Sequence, residues 1–126
     1  MEAHNDIKVS VIIPCYNAVK YVEETLQSVS SQTFKNIEII AVDDGSTDDT
    51  FSIINSYKDM DSRLKTIKIQ NGGSSKARME GAKLAKGEYL LFLDSDDLID
   101  SIYIEKCISI ARQGYDIVYT KARFFG

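Results

Sequence analysis

Residues 8–44 read KVSVIIPCYNAVKYVEETLQSVSSQTFKNIEIIAVDD, and this stretch decides the fold. It opens on Lys8–Pro14, β-branched and almost unbroken in apolarity from Val9, the pattern of a strand covered on both faces. Pro14 and Asn17 are expected to break that strand. From Ala18 to Ser31 the apolar positions Val22, Leu26 and Val29 recur at spacings of four and three, which marks one face of a helix. Ile37–Val42 then forms a second buried strand, closing on Asp43-Asp44-Gly45-Ser46.

The alternation continues outward. Ser46 or Thr47 is expected to cap the next helix, with Asp48 and Asp49 in its first turn favouring the helix dipole. That helix carries Phe51, Ile54 and Tyr57 on one side. Leu64–Ile69 is a third strand, ending at Asn71-Gly72-Gly73. Ser74 or Ser75 caps a third helix whose face is Ala77, Gly81, Leu84 and Ala85, small enough to approach a sheet closely; Gly87 stops it. Tyr89–Leu93 is a fourth buried strand running into Asp94-Ser95-Asp96-Asp97. Ile104, Cys107, Ile108 and Ala111 define a fourth helix that Gly114 ends, and Ile117–Tyr119 is a fifth strand. Residues 1–7 are polar and read as a disordered tail. Strands alternating with helices over short connections predict an α/β fold: a mostly parallel sheet between two helical layers, with right-handed crossovers.

Composition narrows the function. The 126 residues are enough for one domain. With 15 Lys and Arg against 19 Asp and Glu, the net charge of −4 argues against a nucleic-acid binder, which needs a basic surface. The two cysteines, Cys15 and Cys107, each lie in an apolar stretch and fit a reducing compartment better than a disulfide framework. No apolar run reaches the length of a membrane span and no signal peptide opens the chain. The expectation is a cytoplasmic domain, and these totals leave open a longer parent chain working at the inner face of a membrane.

In open parallel sheets, ligands gather outside the carboxyl ends of the strands. There stand Tyr16-Asn17 after strand one, Asp43-Asp44 after strand two, and Asp94, Asp96 and Asp97 after strand four. Like charges so clustered disfavour one another's ionisation unless a cation neutralises them. Carboxylate oxygens are hard ligands suited to Mg²⁺ or Mn²⁺, and Mg²⁺ is usually shared between one or two carboxylates and substrate phosphates. A diphosphate ligand follows. The plainer readings are turn formation and helix capping for Asp48, Asp49 and Asp100, a rim aromatic for Tyr16, and a solvated helix residue for Arg78. Asn71-Gly72-Gly73 lacks the pattern of a phosphate-gripping loop, and neither a G-x-G-x-x-G nor a Walker sequence occurs.

Five segments in register resemble family 2 glycosyltransferases. They are Val9–Asn17, Ser30-Ser31-Gln32-Thr33-Phe34, Val42–Asp48, Ala77-Arg78 with Gly81, and Gly87-Glu88-Tyr89 leading into Phe92–Asp97. The resemblance runs from residue 8 to about residue 120. It implies the GT-A fold, in which a Rossmann-like half for the nucleotide-sugar precedes an acceptor half; residues 8–126 would be the donor-binding part. By the same resemblance Pro14, Tyr16, Asn17, Asp43, Asp44, Arg78, Asp94, Ser95 and Asp96 are the nucleotide-sugar-binding candidates. Tyr16 packs on the nucleobase, Asp44 hydrogen-bonds it, and Arg78 lies near the diphosphate. Asp94 and Asp96 form the Asp-x-Asp pair that meets ribose and a divalent metal, with Asp97 as a third candidate ligand. The donor is expected to be a UDP-sugar and the acceptor a saccharide or lipid-linked hydroxyl. Transfer would be inverting, with the general base beyond Gly126 and no catalytic residue within the chain.

Two rivals are disfavoured by the same strand ends. A phospho-acceptor receiver needs an acidic pair after strand one and an aspartate after strand three, where this chain has Pro-Cys-Tyr-Asn and Gln-Asn-Gly-Gly. A nucleotidyltransferase wants a Gly-rich, Arg-bearing loop after strand one, which is absent. A non-catalytic nucleotide-sugar-binding module remains the alternative, with a nucleotidyltransferase ranked behind it. The fifth strand and Arg123-Phe124-Phe125 would leave an apolar edge open to self-association, so a homo-oligomer is also expected.

Overall fold

The computed structural model describes residues 8–113. The tail 1–7, the helix stop at Gly114, the fifth strand at 117–119 and the Arg123-Phe124-Phe125 edge lie outside the described residues. In chain order the elements are β1 (Val9–Cys15), α1 (Val22–Ser30), β2 (Ile37–Asp44), α2 (Thr50–Ser56, continued by a 3₁₀ turn Tyr57–Asp59), β3 (Leu64–Ile69), α3 (Ser74–Leu84), β4 (Tyr89–Phe92) and α4 (Tyr103–Ala111). The four strands form one parallel sheet in the order β3-β2-β1-β4. No helix among them is long and apolar enough to cross a membrane.

That order explains the layering. The chain steps from β1 to β2 to β3 in one direction and then crosses back past β1 to reach β4. With crossovers of one hand, reversing direction moves the connecting helix to the other face. So α1, α2 and α4 pack on one side, around Val11, Ile13, Ile39, Leu26, Ile54 and Ile104. On the other, α3 covers Ile12, Ile40 and Val42 through Ala77. The reversal between β1 and β4 is the switch point at which such sheets bind ligands.

The small face of α3 does what its residues predict. A Cβ on Gly81 would stand 2.6 Å from Ile12 Cγ2 and 3.1 Å from Val42 Cγ2, so only glycine allows this approach. Leu84 departs from the predicted face and is exposed, because α3 ends there. Gly87 has a different task from stopping the helix. Its hypothetical Cβ would meet Ser10 N at 2.7 Å, and its N–H donates to Ser10 Oγ at 2.8 Å; the α3–β4 link therefore lies directly on β1. Buried Glu38 completes that clamp, accepting from Ser10 Oγ, Lys86 N and Lys65 Nζ. Burial pushes its carboxyl up most strongly, yet these donors together hold it below its usual value.

Three other expectations need correction. β1 does not break at Pro14 but continues to Cys15. Tyr89 N and Leu93 N donate to Lys8 O and Ile12 O, so alternate residues of β1 serve β4. Pro14, next in that series, lacks its N–H where β4 has already ended, and the β2 side stays paired. Nor is β4 fully buried. Tyr89 and Leu91 pack into the core, whereas Leu90 and Phe92 are 46% and 44% exposed, because α3 lies over β1 and β2 instead. The caps also differ: Asp48 Oδ1, not Ser46 or Thr47, receives Thr50 N at the start of α2, and α3 starts after Gly73 with no side-chain cap from Ser74 or Ser75.

Candidate functional site

A cleft of about 580 Å³ opens at the carboxyl ends of β1, β2 and β4. Its first wall is the loop after β1. Tyr16 is half exposed there, and Asn17 takes a left-handed backbone conformation (φ 47°) that asparagine tolerates better than most residues. Asn17 N donates to Ser46 Oγ at 2.9 Å, and Asn17 Oδ1 accepts Thr47 N at 2.8 Å. Ala18 N donates to Thr50 Oγ1 at 2.8 Å. Asn17, Ser46 and Thr47 thus bracket the first two strand-end loops together, which is where the hydroxyls expected to cap α2 are used instead.

The acidic pair at the end of β2 is split by the pleat, since successive strand residues face opposite sides of a sheet. Asp44 points to the α3 side, lines the cleft and accepts Gly72 N at 2.9 Å and Gly73 N at 3.0 Å, with Asn71 Nδ2 on its backbone carbonyl at 2.9 Å. Gly45 (φ 72°) makes that contact possible, as its Cβ would stand 2.7 Å from Asn71 N. Asp43 faces the other way. It is wholly buried beside Cys15, and its Oδ1 has no hydrogen-bond partner among the described residues. Burial, reinforced by the Asp43 charge, raises the Cys15 thiol to about 12, so this cysteine is inert. Asp43 does not line the cleft, so the pleat separates the two aspartates that were expected there together.

The third wall follows β4. Asp97 N donates to Asp94 O at 3.0 Å and Asp94 N to Asp97 Oδ2 at 3.3 Å, folding residues 94–97 into a tight turn. Asp94, Ser95 and Asp96 line the cleft, and one carboxylate oxygen from each of Asp94, Asp96 and Asp97 lies within 4.8 Å of the others. Burial raises the Asp97 carboxyl, and the neighbouring Asp94 and Asp96 charges add to this against the opposing hydrogen bond from Asp94 N. Three hard oxygen donors carrying mutual repulsion fit a divalent cation such as Mg²⁺ or Mn²⁺. Arg78, on α3, reaches Asp94 Oδ1 at 3.4 Å, an exposed pair of little energetic weight that brings a cation to this end of the cleft.

Tyr21, Asn71, Gly73 and Ser74 also line the cleft, and sequence reasoning did not single them out. The Asn71-Gly72-Gly73 loop, which lacks a phosphate-gripping pattern, instead donates its backbone N–H groups to the Asp44 carboxylate.

The family model described as Glycosyl transferase family 2 matches residues 10–126. The chain belongs to glycosyltransferase family 2. Among its relatives, Glycosyltransferase GlyA of Streptococcus pneumoniae serotype 4 is 44% identical over 100 residues, covering 79% of this chain and 14% of GlyA. The putative glycosyltransferase EpsH of Bacillus subtilis is 40% identical over 110 residues, covering 87% of this chain and 32% of EpsH. Of solved structures, S. aureus TarS 1–349 in complex with UDP-GlcNAc superposes with a TM-score of 0.79 at 38% identity, over 85% of this chain and 32% of that 1–349 chain. The mannosyltransferase PcManGT from Pyrobaculum calidifontis, in complex with GDP-Man and Mn²⁺, gives 0.69 at 28% identity, over 73% of this chain and 28% of that one. This family 2 chain therefore spans a third or less of the length of these relatives, and its α/β architecture is that of the GT-A neighbours.

Proposed function

We propose that this chain is the donor-binding portion of an inverting glycosyltransferase, which takes a UDP-sugar and passes the sugar to the hydroxyl of a saccharide or lipid-linked acceptor. The observation that carries the reading is a single cleft lined by Asp44 after β2, Tyr16 after the neighbouring β1 and Asp94-Ser95-Asp96 after β4. An aromatic face and a carboxylate suit a nucleobase, and an acidic turn with Arg78 nearby suits a metal-bound diphosphate. The UDP and UDP-GlcNAc complexes of TarS and the GDP-Man and Mn²⁺ complex of PcManGT support that division.

In the transfer, the acceptor oxygen attacks the anomeric carbon while the bond to the diphosphate oxygen breaks, leaving a nucleoside diphosphate. Asp94, Asp96 and Asp97 would hold Mg²⁺ or Mn²⁺, which supplies Lewis-acid stabilisation of the leaving phosphates. Tyr16 offers its ring to the base, and Asp44 accepts from a base N–H while staying anchored to the Gly72-Gly73 backbone. Arg78 adds positive charge near the departing oxygens. The carboxylates lining the cleft, Asp44, Asp94 and Asp96, all serve the donor, so the general base is assigned to none of the described residues. The free Cys15 and Cys107 are in keeping with a cytoplasmic setting. Calorimetric titration of UDP with Mn²⁺ and with chelator tests the proposal: tighter binding with Mn²⁺ is expected, equal affinities remove the metal, and no UDP binding in either condition removes the function.

A further inference from the structure

We propose that Thr25 and Gln32, on and just after α1, are positioning residues for the acidic turn Asp94–Asp97, and through it for the metal-diphosphate end of the donor. The inference rests on the reading that this turn meets the diphosphate. Neither residue touches the cleft, and nothing in the composition of the turn points to them.

Thr25 is wholly buried in the middle of α1, where a threonine hydroxyl ordinarily bonds back to its own helix. Here Thr25 Oγ1 donates instead to Ser95 O, 70 residues away, at 2.8 Å. Ser95 is the residue between the two cleft-lining aspartates, so this bond fixes the turn from behind. Gln32 is wholly buried too, which is rare for glutamine unless its amide is satisfied. Its Nε2 donates to Ser28 O at 3.0 Å and Asp100 O at 2.5 Å, and its Oε1 accepts Ile104 N at 2.9 Å. Thr33 N adds a bond to Ser101 O at 2.8 Å. Both ends of the segment that carries the turn into α4 are therefore held by α1 and the loop after it.

Apolar contact alone would not do this. Ile99, Ile104 and Ile108 already bury the segment against the core, but such contact is non-directional and tolerates sliding. Hydrogen bonds to named carbonyls set the register of the turn along α1. Carboxylates that must share one small cation need that register, since Mg²⁺ in particular demands near-ideal geometry at short distances.

The test uses the 126-residue chain, with UDP as ligand and Mn²⁺ as metal. Thr25→Val removes the hydroxyl at nearly constant volume, and Thr25→Ser restores it. Ile54→Val, on the buried face of α2 and away from the cleft, controls for a general loss of stability. Metal-free UDP affinity in Thr25→Val is expected within about twofold of the parent, while its enhancement by Mn²⁺ falls about three- to tenfold, the scale of one hydrogen bond. Thr25→Ser and Ile54→Val should keep the full enhancement. Gln32→Met carries the same expectation as Thr25→Val, and Thr25→Ala replaces the valine variant if that fails to fold. Full Mn²⁺ enhancement in folded Thr25→Val, or an equal loss in Ile54→Val, overturns the proposal while leaving the function reading intact. A parent chain that binds UDP with no Mn²⁺ enhancement overturns the metal assignment and this proposal with it, and a parent chain that binds no UDP overturns the function reading as well.

Discussion

The Asp44 carboxylate accepts the backbone N–H of Gly73 at 3.0 Å, tying the end of β2 to the residue just before α3. Its other oxygen takes Gly72 N at 2.9 Å, so one side chain both orders a loop and faces the cleft. Asp44→Ala leaves two backbone donors without partners and is expected to cost about 1–3 kcal/mol of stability. It should also weaken UDP binding equally with and without metal. Asp44→Asn, which retains an acceptor, should lose less stability. Urea unfolding paired with calorimetry checks both, and an Asp44→Ala chain of parental stability would show that the loop orders itself.

Asp96 lies at the other end of the cleft, exposed and, among the described residues, without an organising bond of the kind that holds Asp44. Asp96→Asn is therefore expected to leave folding unchanged. Cation affinity follows ligand charge, so the Mn²⁺-dependent part of UDP binding should fall on the order of tenfold. Metal-free binding should stay as it is. Calorimetry of the variant with Mn²⁺ and with chelator separates these, and an equal loss in both would reassign Asp96 to the nucleotide itself.

What the sequence made legible follows from what periodicity and position encode. Buried strands such as Val9–Cys15 and Ile37–Asp44 announce themselves by apolarity, and the acidic runs sit where a parallel sheet puts its ligands. The separation of Asp43 from Asp44 was legible in principle from the two-residue strand period, but only once β2 was known to run through both. Gln32 and Thr25 were not legible as partners of residues 95–104, because a hydrogen bond across 70 residues leaves no local pattern. The capping expectations failed for a related reason. Ser46 and Thr47 are good caps by type, yet Asn17 had already claimed them from another loop.

Gly81 gives a prediction on packing alone. Gly81→Ala would gain about 1 kcal/mol of helix propensity but force a methyl to 2.6 Å from Ile12 Cγ2, and overpacking typically costs about 1–3 kcal/mol. Net destabilisation is expected. Ile12→Ala removes the obstructing methyl, so the double variant should be more stable than the sum of the singles requires. Strict additivity in urea unfolding would mean that α3 shifts freely and that Gly81 does not set its approach.

Asp61 and Arg63 predict how stability responds to acid. In the turn before β3, Arg63 Nε and Nη2 reach Asp61 Oδ1 and Oδ2 at 2.9 and 2.7 Å, a two-pronged ion pair. Ser30 Oγ donates to Asp61 Oδ2 at 2.8 Å, and Arg63 Nη1 donates to Lys35 O at 2.9 Å, so the pair fastens the end of α1 to the start of β3. The Arg63 hydrogen bonds hold the Asp61 carboxyl at about 2, below its ordinary 3.8, despite partial burial that acts the other way. Between those values the unfolded chain binds the proton and the folded chain does not, so stability rises with pH there. Asp61 thus stabilises fully above about pH 4, and its contribution is lost as pH falls from about 4 to about 2. Glu38, also held below its usual value, adds to the same acid slope, which is why the comparison must be between variants. Asp61→Asn is expected to be less stable at pH 7 and to lose stability more gently on acidification, the two chains converging near pH 2. It lies outside the cleft, so UDP affinity at pH 7 should be unchanged. Urea unfolding at stepped pH reads the slope directly, and parallel curves for parent and variant would count against the pair.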